Sequence, residues 1–267
     1  MKLKYTTKLF IAVNAIILTF RTLQVLLLTE PNTGFLKGDY IVVNIIGAVL
    51  VVGCLAALFS NASMAVRQPE KINCNGAVSS IVAALSAVLY LASGVLAVIT
   101  SQFGFRALFT TSVLAGVMCL VMAVSAIQQK PLPKALFLLP LPYWMSVLII
   151  SYLYYTERPL RARTIYETFA VCFVLLFTVC FGKAVSGVNA EKNFRRIYPL
   201  GLVASSLCIL CVVPEGIAWI VGMSENVTNS PVMPLSLAAG ALFTGFFTIN
   251  TFKKSNTVHP KDKEKSE

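Results

Sequence analysis

Charge is what this sequence has least of. Only 12% of its 267 residues are Asp, Glu, Lys or Arg, against about 25% in a soluble domain. With 57% of the chain hydrophobic, no water-facing surface can be assembled from what remains, and a soluble fold is excluded. Histidine is nearly missing. The single one, His259, lies in the polar C-terminal stretch, so His-based acid–base catalysis and a His-rich metal site are not expected. Long polar segments are missing too. The longest is 253–267, charged and lacking apolar bulk, which reads as a disordered basic cytoplasmic tail. The other connections are too short for a soluble domain, so residues 1–252 are expected to form a single polytopic transmembrane domain.

Catalytic signatures are also wanting. There is no Gly-rich phosphate loop, no H-E-x-x-H, no G-x-S-x-G and no pair of carboxylates on one helix. The expectation is a protein that is not an enzyme and carries no cofactor or metal. Of seven cysteines, all but Cys74 lie in apolar runs. The odd count and that placement argue against a disulfide framework. Cys208-Ile-Leu-Cys211 is a C-x-x-C by spelling, with no second pair and no nearby His. The formal charge of +11 could suggest nucleic acid. Yet no basic stripe is interleaved with aromatics, and Lys and Arg are also the topology signal of membrane proteins. No nucleic-acid partner is expected.

What the chain does have is eight apolar runs: 9–28, 40–60, 76–100, 107–127, 135–155, 164–183, 198–222 and 232–252. Each is long enough to cross about 30 Å of hydrocarbon as a helix. The first carries Arg21 and is longer than a signal-peptide core, so it is read as a span. The fold class is therefore an all-α integral membrane protein, a bundle of about eight transmembrane helices. Eight spans put both termini on one side, together with 16 of the 22 Lys and Arg residues; five fall on the other side. By the positive-inside rule both termini are cytoplasmic. The outer five include Arg158, Arg161 and Arg163, in a charged elbow between the fifth and sixth runs that opposes the rule. These arginines form an outer basic rim, read as interfacial anchors beside Tyr152, Tyr154, Tyr155 and Tyr166 or as a contact for an anionic lipid head group.

Ser80, Ala83, Ala87 and Gly94, with Gly76, recur at helical spacing in the third run, and Gly240 and Gly245 do so in the last. Such faces let helix backbones approach closely in lipid. Pro140 and Pro142 are expected to kink the fifth run, and Pro214-Glu-Gly216 to break the seventh at Pro214 and Gly216. Freed backbone groups at that depth are tolerated only inside protein or beside water. No internal repeat of the inverted-transporter kind is visible.

Three ionisable residues lie inside the runs. Counting 1.5 Å per residue from the cytoplasmic ends puts Arg21 at ~20 Å, and Glu167 and Glu215 at ~24 Å. Asn44 falls at the same level. Asn14, Arg21 and Gln24 share one face of the first helix, being seven and three residues apart. An intramembrane Arg costs about 2.5–3.5 kcal/mol on insertion scales, so Arg21 is expected to face the bundle. It would meet Glu215 or Glu167 in an outward-facing polar pocket near Asn44. The plainer alternative is an ion pair that only fixes helix register.

Leu139-Pro-Leu-Pro-Tyr-Trp144, followed by Thr164-Ile-Tyr-Glu-Thr-Phe-Ala170 and the run to Gly182-Lys183, resembles a group of uncharacterised multi-spanning proteins of clostridia-like bacteria. In that group a Pro- and Trp-containing helix is followed by one opening with Tyr-Glu. The resemblance implies a bacterial cytoplasmic membrane location and supplies no substrate. The functional expectation is a membrane protein that binds or transports a small or anionic solute through the outward pocket, with membrane lipids around it. The alternative is a structural or regulatory subunit among other membrane subunits, whose polar residues only pack helices.

Overall fold

In the computed structural model, residues 2–29, 40–65, 77–100, 104–128, 134–157, 162–222, 232–246 and 248–249 are described. Among them every extended element is helical. The helices are α1 (Lys2–Leu27), α2 (Ile41–Ala65), α3 (Ala77–Ile99), α4 (Phe105–Gln128), α5 (Pro140–Glu157), α6 (Ala162–Val185), α7 (Ala190–Ile220) and α8 (Val232–Ala241). A 3-10 turn over Lys134–Leu138 precedes α5, and a π turn over Leu242–Phe246 follows α8. Helix is the expected answer to an apolar environment, since it satisfies each backbone donor and acceptor within its own segment. Seven helices are long and apolar enough to cross a membrane; the eighth apolar run is a shorter helical stretch, Val232–Phe246. The chain is thus an all-α membrane protein built from a packed bundle. The tail 253–267 lies outside the described residues.

The helix at the centre is α7. In its spanning window 78% of the residues are buried, against 22–44% for the other spans. It packs on α1, α2, α6 and α8, while α3, α4 and α5 close the other side through α3–α8 and α5–α6 contacts. Its side chains explain the position. Gly201, Ala204, Ser205, Ser206 and Cys208 are small and all buried, so neighbours approach from every direction. A Cβ on Gly201 would lie 2.0 Å from the Thr248 hydroxyl, and one on Gly245 would lie 2.2 Å from the Ser205 hydroxyl. These glycines set the distance between α7 and the segment that follows α8. The α6–α7 link is a tight turn in which Gly187 takes φ 84°, a left-handed conformation that costs glycine nothing. Val188 N–H bonds back to Lys183 C=O at 3.0 Å. Glu167 and Glu215 are thereby carried on adjacent helices.

The small-residue face of α3 is buried along Ser80, Ala83, Ala87 and Gly94 and lies against α4. A Cβ on Gly94 would meet the Ser112 hydroxyl at 1.9 Å. Between α3, α5 and α8 sits an aromatic core. Tyr90 and Tyr143 cross edge to face at 5.0 Å, and the Trp144 Nε1–H donates to Tyr90 Oη at 3.2 Å.

Two proline expectations change. The fifth run is not a bent helix but two pieces, because α5 begins at Pro140. There the missing N–H of Pro140 is one that no helix would have used, and Pro142 falls in the same first turn. The break expected at Pro214 and Gly216 does not form: α7 runs unbroken over 31 residues with Pro199 and Pro214 inside it. A proline removes one intrahelical donor, and the packing of four other helices around α7 holds the turns on either side.

Candidate functional site

The α1 face carrying Asn14, Arg21 and Gln24 is turned into the bundle. All three are buried, with Arg21 at 6% exposure. The approach of α2 is set by Gly47, whose absent side chain leaves room for the Phe20 ring; a Cβ there would lie 1.6 Å from Phe20 Cζ. One turn further along this crossing, Gln24 reaches Asn44.

The resulting hydrogen bonds have a fixed sense. Arg21 can only donate, and its Nη1 donates to Gln24 Oε1. That leaves Gln24 Nε2 to donate to Asn44 Oδ1, at 2.7 Å. The Asn44 amide nitrogen, Nδ2, is then the end of the chain. It is shielded from solvent and has no hydrogen-bond partner. A cationic donor therefore polarises two amides in series and ends in an unused N–H donor.

The far wall comes from α6 and α7. The Arg21 guanidinium lies 4.9 Å from the centroid of the Tyr166 ring, a cation–π contact. Glu167, the next residue, is buried at 8% exposure. Cys211 on α7 is buried as well. Glu215, also buried, is one helical turn beyond Cys211. The structure thus brings Arg21, Gln24 and Asn44 together by direct bonds, sets the Tyr166 ring of α6 against Arg21, and buries Glu167 on α6 and Glu215 on α7.

Asn14 belongs to a different level. Its Nδ2 donates to Phe10 C=O at 2.8 Å and to Ser206 Oγ on α7 at 3.1 Å. Arg158 and Arg161 of the outer rim lie outside the described residues, and Arg163 is placed only as backbone of α6. No family model, curated protein or solved structure matches the chain.

Two members of the cluster escape sequence reasoning. Tyr166 reads there as an interfacial anchor, and Cys211 as half of an accidental C-x-x-C. A signal existed for both: Tyr166 is adjacent to Glu167, and Cys211 is four residues before Glu215, on the same helix face.

Proposed function

We propose that this membrane protein binds, and carries across the membrane, a small solute bearing an oxygen acceptor such as a carboxylate, a phosphate or a polarised carbonyl. The observation that carries the reading is the unused Asn44 Nδ2 donor at the end of the Arg21–Gln24–Asn44 chain. A buried donor without an acceptor costs about 1–3 kcal/mol. A cluster that served only to clasp helices would have no use for it. Arg21 raises the strength of that donor through the intervening amides, and the solute's oxygen would complete the chain. Glu167 and Glu215 on the opposite wall give the site both signs of charge and limit how much net negative charge it accepts. A small zwitterion or a monoanion fits better than a polyanion.

The location that goes with this reading is a bacterial cytoplasmic membrane with both termini inside, supported by the distribution of Lys and Arg. The pocket then opens outward, and the outer arginines stand where anionic lipid head groups would be met. The test is a thermal-stability screen of the purified protein in detergent. It would use small carboxylates, inorganic phosphate and amino-acid zwitterions, repeated on Asn44→Leu. A ligand that raises the melting temperature of the parent and not of Asn44→Leu supports the site. The alternative, a structural or regulatory subunit, rests on the same buried bonds fixing helix register. It is favoured if no probe shifts the parent while Asn44→Leu raises stability.

A further inference from the structure

The α1–α7 interface carries polar groups well below the cluster. Thr7, Asn14 and Arg21 recur every seven residues on α1, so they lie on one line of the helix. The lower two meet polar groups of α7. Thr7 shares a side-chain hydrogen bond with Tyr198 and Asn14 bonds Ser206, while Arg21 is buried at the top of the line. At 1.5 Å per residue the three levels are roughly 10 Å apart and span about 21 Å, most of the hydrocarbon thickness. Apolar side chains would seal the interface at lower cost in lipid.

Asn14 is the informative level. It is buried at 7% exposure. Its Nδ2 uses both hydrogens, on Phe10 C=O and Ser206 Oγ. The amide cannot be turned over, because the Phe10 carbonyl only accepts and needs the nitrogen. Its Oδ1 is consequently left buried with no partner. An asparagine that merely clasped two helices would be satisfied at both ends. This one offers an unused acceptor between α1 and α7, half-way down the line.

From this we propose that the solute's route to the cytoplasmic side runs between α1 and α7, with Asn14 Oδ1 and Ser206 Oγ as a second, deeper subsite. The inference rests on the solute-binding reading of the outer cluster. Asn14 Oδ1 accepts an N–H or O–H of the solute, or a water travelling with it, and Ser206 supplies the neighbouring hydroxyl. The outer cluster offers a donor in Asn44 Nδ2 and the deeper level offers an acceptor. A solute holding both an acceptor and a donor group is recognised at each in turn. The opening of the route is a movement of α1 against the fixed central helix. α1 is the less buried partner, at 33% of its spanning window against 78% for α7.

The test is water access, read as the reaction rate of introduced thiols with a small cationic methanethiosulfonate. It uses the full-length protein in lipid vesicles, compared with the parent as background. The variants are Asn14→Cys, Ser206→Cys, Gln24→Cys and, as a packed control, Val13→Cys. Expected is labelling of Asn14→Cys and Ser206→Cys at least tenfold faster than of Val13→Cys. Ser206→Cys replaces one oxygen by sulfur, so it decides the matter if Asn14→Cys fails to fold, as judged by a monodisperse elution profile. Labelling of Gln24→Cys alone overturns the route and leaves the outer site standing. If no position reacts above background, both the route and the outward pocket are refuted.

Discussion

Replacing Arg21 with Met tests the central cluster most directly. The substitution keeps a flexible side chain of similar reach and removes the charge. The bond from Arg21 to Gln24 lies within α1, so it can persist in a separated helix and contributes little to holding the bundle together. The contribution to the bundle comes from α6 and α7. The contact with the Tyr166 ring is worth about 2 kcal/mol when desolvated. Arg21, Glu167 and Glu215 are all buried, and deleting one partner of a buried charge set costs about 3–5 kcal/mol. The expected loss for Arg21→Met is therefore about 3–5 kcal/mol, most of it electrostatic. Three companions separate the terms. Tyr166→Leu loses about 1–2 kcal/mol and Tyr166→Phe less than about 0.5, because Phe retains the ring face. Glu215→Gln, which neutralises a carboxylate, recovers part of the loss in the Arg21→Met background. Reversible unfolding in mixed micelles, followed by fluorescence, reads all four. Trp144 is fully buried and reports the core, whereas Trp219 is 56% exposed. An Arg21→Met protein within about 1 kcal/mol of the parent, or strict additivity with Glu215→Gln, would refute the account of the cluster.

Tyr143→Phe is expected to cost only about 0.6–1.7 kcal/mol, the range for one interhelical bond in lipid. Tyr143 Oη touches both Ser93 and Ser236, but each serine already donates to its own helix, to Tyr90 C=O and Val232 C=O. The tyrosine proton can serve one of them at a time, so a loss equal to two bonds in the same unfolding assay contradicts this count. The three glycines should rank by what surrounds them. Gly245→Ala pushes on Ser205 close to its backbone and costs about 1–3 kcal/mol, Gly47→Ala displaces only the far end of the Phe20 ring and costs less, and Gly53→Ala meets nothing within 4 Å and is neutral or stabilising. Thermal melts of the three variants check the order. Cytoplasmic termini predict that protease added to intact cells leaves residues 253–267 in place and removes them only after lysis; cleavage in intact cells inverts the topology.

The helices were legible because lipid leaves the backbone few alternatives. Seven of the apolar runs appear as long spanning helices, and the buried faces of α1 and α3 follow positions that spacing alone picks out. The cluster was half legible. Arg21, Asn44, Glu167 and Glu215 stand out because a charge or amide in an apolar run is conspicuous. Tyr166 and Cys211 did not stand out, since an aromatic or a thiol in such a run looks like packing.

The proline effects show where local rules give way. Pro140 could be a kink or a helix start, and Pro214 a break or a tolerated gap. Only the neighbours decide, by supplying or withholding the packing that holds adjacent turns.

From the sequence alone follow the membrane, the helices and the few residues that lipid makes costly to bury. That α7 stands at the centre, and that Asn44 and Asn14 each keep one unused polar atom, came only with the tertiary structure. In water, the buried side of a helix is apolar and the exposed side polar, so a sequence carries its own map. In lipid both sides are apolar, and which face meets protein is written in small residues and close approaches that become visible only once the helices are together.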